Sequence, residues 1–136
     1  MAWADSDDRD DRDDCDEVTR FGDLLFLEAQ TGRDPATGRL PDGVEAQTHA
    51  LVAKIDALLD RFGSTKADIL MVTLVFADIR LFKAVDVIYA AWLPPREEVP
   101  LPACTAYAAA LPDGALVQAE VVAAMAQGRR AEDATP

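Results

Sequence analysis

The 136 residues, 50% hydrophobic and 28% charged, suffice for one compact domain and fall short of two ordinary ones. Against 25 aspartates and glutamates stand 13 lysines and arginines, and the net charge of −12 repels phosphate backbones and anionic lipids, which sets aside nucleic acid and membrane as partners. Cys15 and Cys104 lie far apart in unlike surroundings, so no disulfide framework or metal knuckle is visible and a cytoplasmic location is expected.

In chain order, the first segment is a charge run. Nine acidic residues and two arginines between Asp5 and Glu17 hold −7 of the net charge, and so polar a stretch cannot bury enough apolar surface to offset its ordering entropy. Residues 1–17 are expected to form a disordered tail, either a solubility device or a docking arm for a basic partner. The segment lacks the central glycine and distal glutamate of a calcium loop, and the opening residues lack the basic and apolar regions of a signal peptide. Residues 21–27 (FGDLLFL) predict a turn feeding an apolar strand, and residues 31–38 (TGRDPATG) a hairpin or wide loop after it. Asp42 followed by Glu45 has capping-box spacing. Val44, Leu51, Ile55, Leu58, Leu59 and Phe62 then share one helical face until Gly63 stops the run. Residues 69–77 (ILMVTLVFA) are apolar at nearly every position, as expected of a central strand covered on both faces, and are far too few to span a membrane. Asp78 is placed to cap a second helix through Phe82, Val85, Tyr89 and Trp92, ended by Pro94 and Pro95. Residues 103–111 and 115–124 are β-prone and flank Pro112-Asp113-Gly114, a hairpin signal. The order predicts an α+β domain over residues 18–126, a mixed β-sheet with two helices packed on one face, and then a frayed tail at 127–136.

The reactive groups exclude more than they offer. His49 is the single histidine, and its helical neighbours Glu45 and Ala53 supply no ligand set, so it reads as a surface or boundary residue and a zinc site is set aside. Cys104 has no base beside it in sequence and is expected to be a buried structural thiol rather than a nucleophile. The scattered glycines form no phosphate loop or dinucleotide fingerprint, and no cofactor is expected. Glu120 is more informative, because it interrupts an otherwise apolar strand and shares its face with Gln118. Such a carboxylate either meets solvent or a neighbouring subunit, or belongs to a site.

Taken together, several segments carry a resemblance. Residues 22–27 (GDLLFL), Gln30-Thr31-Gly32 with Asp34-Pro35 and Thr37-Gly38, and residues 44–48 (VEAQT) come first. Phe62-Gly63-Ser64, the spacing from Phe82 to Tyr89, and Leu111-Pro112 leading to Glu120 and Ala123 follow. In this order and spacing, the stretch from Phe21 to Ala124 resembles the Rid family, the YjgF-like reactive-intermediate deaminases. The resemblance implies a homotrimer in which three sheets form a barrel-like core with helices outside, and small ligands sit in clefts between subunits. It also implies hydrolysis of unstable enamines and imines such as 2-aminoacrylate, releasing ammonia without metal or organic cofactor. Position by position, the family's carboxylate-binding arginine falls on Ala103, eight residues before Leu111-Pro112. The glutamate thought to orient water falls on Gln118, and a second acidic position is kept as Glu120. Thr105 matches a ligand-side position, Asp86 matches a frequent asparagine of the second helix, and Glu28 opens the segment that corresponds to the family's Ser-Gly-Gln. The family's N-terminal tyrosine falls near Cys15 and has no counterpart.

These departures bear on chemistry. A guanidinium gripping a carboxylate contributes on the order of 1.5–3 kcal/mol and fixes orientation, whereas alanine does neither. Glu28 and Asp86 make an anionic substrate less welcome still, unless Arg96 folds back from its loop as a substitute. Two functions compete. The first is a divergent Rid-like enzyme acting on a neutral or cationic enamine, imine or related intermediate. It has Glu120, Asp86 and Glu28 as proton-handling candidates and Thr105, Gln118, Ala103, Arg96 and Tyr107 around the ligand, with little standard 2-aminoacrylate deaminase activity. The second is a non-catalytic trimer that binds a small metabolite or a protein partner.

Overall fold

A computed structural model describes residues 17–125, so the expectations for the two tails lie outside the described residues. Strands β1 (Val18–Phe21) and β2 (Leu24–Gln30) open the chain. Helix α1 (Val44–Arg61) leads to β3 (Ile69–Phe76), and helix α2 (Phe82–Trp92) to β4 (Ala103–Ala108) and β5 (Val117–Ala124). The five strands form one sheet in the order β1-β2-β5-β3-β4. All pairs are antiparallel except β3 with β4. That exception is the βαβ unit: the crossover through α2 delivers β4 alongside β3 in the same direction.

One face of the sheet makes the core. Leu25 and Leu27, Val72, Leu74 and Phe76, and Val117, Ala119, Val121 and Ala123 alternate inward along their strands, all buried. The helices meet them with Leu51, Ile55, Leu58 and Leu59 from α1 and Val85, Tyr89 and Trp92 from α2. Each large aliphatic buried there is worth about 1.5–3 kcal/mol before entropy is counted. Trp92 also ties the helices together, since its Nε1 donates to Asp56 Oδ2 at 3.0 Å and Lys66 Nζ lies 5.7 Å from its ring centroid.

The fold class and the two-helix layer are as expected, and several local features differ. The hairpin at Pro112–Gly114 does not form: β4 pairs with β3, and β5 inserts between β2 and β3. A Pro-Asp-Gly cue fixes only a local reversal, here with Asp113 at φ 60° and Gly114 at φ 82°. Strand placement follows burial, and β5, with four of its eight residues buried, takes the middle while the exposed β4 takes the edge. The turn that feeds the apolar strand closes a hairpin with β1, and a wide loop follows β2. Phe21 pairs with Leu24 around Gly22, whose φ of 60° suits the first position of a two-residue turn. Asp42 caps nothing; the N-cap is Gly43 at φ 91°, which reverses the chain so that the Gln47 side chain reaches back to Pro41. Asp78 does cap, accepting from Arg80 N at 2.9 Å, but it caps a single 3-10 turn (Ile79–Leu81) that runs into α2. Strand β3 is covered on both faces only toward its C-terminal end: on the side away from the helices Val75 is buried, whereas Met71 is 44% exposed.

Candidate functional site

The site is best built from the sheet face that no helix covers. Alternation along each strand puts Phe26 and Glu28 of β2 and Gln118, Glu120 and Val122 of β5 on this face. Met71, Thr73 and Val75 of β3 and Ala103, Thr105 and Tyr107 of β4 join them. Register arranges these residues in rows. Val122 stands opposite Met71, which stands beside Ala103; Glu120 stands opposite Thr73, which stands beside Thr105; Gln118 stands opposite Val75, which stands beside Tyr107. On the β2 side, Leu27 pairs with Val121 and Gln30 with Ala119, so a bulge at Glu28 and Ala29 faces the single residue Glu120. A concavity of about 250 Å³ lies against this face, lined by Phe26, Met71, Thr73, Glu120 and Val122 among others.

Six of the eight positions expected from sequence, Glu120, Glu28, Thr105, Gln118, Ala103 and Tyr107, therefore share one face. Asp86 does not join them within one chain. It lies on α2, exposed on the helix side, where its charge acts on Tyr89 and Cys104. Arg96 is exposed in the 93–102 loop and, among the described residues, makes no hydrogen bond or ion pair. Thr73 was missed by sequence reasoning. It is the one polar residue of an eight-residue apolar strand, and only the long-range register shows what it stands between.

On the opposite face of β4, Cys104 is exposed and so differs from the buried thiol expected, because α2 covers the edge strand only in part. Desolvation, with the Asp86 carboxylate nearby, still pushes its thiol up and keeps it protonated, so a poor nucleophile it remains. Its neighbour Tyr89 has a buried hydroxyl without a well-formed hydrogen bond, and burial raises its ionisation above the usual phenol range. A wider groove of about 470 Å³ between the helices is lined by His49, Val52, Val87, Ile88, Ala91 and Trp92, and beyond the exposed imidazole it offers no group that could move a proton. Among the described residues no cluster of His, Cys, Asp or Glu could hold a metal ion, and no helix is long and apolar enough to cross a membrane.

The loop between β2 and α1 is firmly held. Arg33 donates to Gly38 O at 2.7 Å and to Asp113 O at 3.3 Å, joining the loop to the turn before β5. Gln47, only 4% exposed, donates from Nε2 to Pro41 O at 3.1 Å and accepts at Oε1 from Leu116 N at 2.9 Å. Gly32 packs so closely that a Cβ there would strike the Gln47 carbonyl.

Comparison with known proteins adds independent information. A family model described as Endoribonuclease L-PSP matches residues 15–125. The chloroplastic Reactive Intermediate Deaminase A of Arabidopsis thaliana is 31% identical over 111 residues, 80% of this chain and 57% of that protein. A 2-iminobutanoate/2-iminopropanoate deaminase of Capra hircus is 33% identical over 101 residues, 73% of this chain and 71% of that one. A RutC family protein of Aquifex aeolicus is 35% identical over 66 residues, 48% of this chain and 53% of its own length. The match thus spans little more than half the length of the Arabidopsis and Aquifex proteins. Among solved structures, the Rid-family protein YyfA of Yersinia pestis superposes with a TM-score of 0.73 at 32% identity, covering 80% of this chain and 86% of that one. RidA from an Antarctic Psychrobacter gives 0.74 at 25% identity with the same coverage.

Proposed function

We propose, because this chain belongs to the Endoribonuclease L-PSP family, the Rid (YjgF-like) proteins, that it is a divergent enamine/imine deaminase whose substrates lack a carboxylate. The reaction is addition of water to a protonated imine, R–CH=NH₂⁺ + H₂O → R–CHO + NH₄⁺. The observation that carries this reading is the composition of the open sheet face, where Ala103 stands at the family's arginine position and Glu120 and Glu28 supply the charge. Among the described residues that face carries two carboxylates and no cation, which favours a cationic iminium and disfavours a 2-imino acid. Glu120 takes the proton from the attacking water and returns it to the departing amine, Glu28 adds charge beside it, and Thr105, Gln118 and Tyr107 border the ligand. The net charge of −12 argues against an RNA substrate.

Assembly is part of the same proposal. The open face carries Phe26 at 39% exposure, Met71 at 44% and Tyr107 at 48%, a patch that three copies would cover by facing their sheets together. Neighbouring copies then have Asp86 and Arg96 to add to a cleft that one chain leaves incomplete. Sedimentation should give a mass near three times 14.7 kDa. For the chemistry, ammonia release is compared between 2-aminoacrylate and the iminium that an amine oxidase produces from butylamine. The expected result is acceleration of the second alone, with Ala103→Arg moving the preference toward 2-aminoacrylate. Acceleration of 2-aminoacrylate by the unmodified chain would sink this reading. The neutral pair Ala103 and Gln118 also favours a second reading, a binding module without turnover, which predicts thermal stabilisation by small amines and no ammonia from either source.

A further inference from the structure

Thr73 is hard to explain by packing. It is the only polar residue of β3, whose sequence is otherwise Ile-Leu-Met-Val and Leu-Val-Phe, and among the described residues its hydroxyl has no hydrogen-bond partner. Valine would fill the same volume, suit a strand as well, and remove no bond from the fold. Its position is informative instead. Thr73 is the cross-strand partner of Glu120 on one side and of Thr105 on the other, and the β2 bulge at Glu28 and Ala29 lies beyond Glu120. Polar positions thus run across four strands, beside the apolar row of Phe26, Val122, Met71 and Ala103 and along the wall of the 250 Å³ concavity.

We propose that Thr73 is a ligand-facing positioning residue, whose hydroxyl holds the attacking water between Glu120 and Thr105 while the apolar part of the substrate lies against Phe26 and Met71. A cross-strand pair sets its Cβ atoms about 5 Å apart. A water between Thr73 and Glu120 therefore bonds to both, accepting from the hydroxyl and donating to the carboxylate. The inference rests on the deaminase reading of this face, and it adds a residue that neither the carried-over family positions nor the carboxylates supply.

The test compares Thr73→Val and Thr73→Ser in the full chain, with the butylamine-derived iminium as substrate. Loss of one hydrogen bond to the reacting water should lower kcat about tenfold in the valine variant with little change in KM, move the acidic limb of the pH–rate profile, and leave thermal stability unchanged. Serine should restore the rate to within about threefold of the parent, because it keeps the hydroxyl. If valine proves unfolded, Thr73→Ala supplies the comparison without the hydroxyl. A hydroxyl-less variant with the parent's kcat and pH profile overturns the proposal, as does a serine variant no better than valine. Should the parent release no ammonia from this iminium, the deaminase reading fails on its own. Thr73 is then judged by butylamine binding, where weakening in valine but not in serine supports its place in the site, and equal or absent binding overturns it.

Discussion

Replacing Gln47 tests how the loop between β2 and α1 is held. The side chain makes one donated and one accepted hydrogen bond, at 3.1 Å to Pro41 O and 2.9 Å to Leu116 N, so alanine strands a carbonyl on one segment and an amide on another. Pro41 and Leu116 are only partly buried, and water can satisfy some of what is lost. Each orphaned group then costs about 1–1.5 kcal/mol, or about 2–3 kcal/mol for the pair. For a domain of this size that is a fall in Tm of about 8–12 °C, read by calorimetry at fixed protein concentration. Gln47→Glu separates the two bonds. Its carboxylate still accepts from Leu116 N but cannot donate to Pro41 O, and burial raises its pKa above the ordinary glutamate value of about 4.3. Its penalty is therefore full at neutral pH and shrinks as pH falls through the raised value, when the protonated acid regains a donor. An alanine variant within about 0.5 kcal/mol of the parent, or a glutamate variant indifferent to pH, would refute the clasp.

Three further outcomes follow from contacts elsewhere. Ser64, 2% exposed, donates to Ala124 O at 2.6 Å and so fastens the segment before β3 to the end of β5; Ser64→Ala should lower stability by about 1–2 kcal/mol in urea unfolding. Tyr89→Phe removes a buried hydroxyl with no good partner, so its stability should equal or exceed the parent's in the same assay. Alkylation of Cys104, followed by mass spectrometry to separate it from Cys15, should be slower at pH 7.5 than for an unstructured cysteine and should accelerate only at higher pH, because the folded thiol titrates above its ordinary value.

What the sequence shows and hides divides along the range of the interactions involved. Helix α1 is legible because its apolar spacing and the Gly63 stop are local, and all four of its buried aliphatics are among the residues that the spacing picks out. The shared face of Gln118 and Glu120 follows from the period of a strand. Strand β1 is missed because four residues leading out of a charge run give too little pattern, and Cys104 is misjudged because edge or interior is decided by which strands pair. The same limit hides the insertion of β5 between β2 and β3, and with it the place of Thr73 beside Glu120. The family pattern supplies Asp86 and puts it on the second helix, but that it stays apart from the open face within one chain is seen only in the folded chain.

Strand β4 contributes Ala103, Thr105 and Tyr107 to the open face, yet none of its six residues is buried in the single chain. Changes there cost the interior nothing, so natural variation can sample new chemistry at these positions without first acquiring compensating mutations. A lineage could discard an arginine at such a place and keep a sound scaffold on which the next activity is tried.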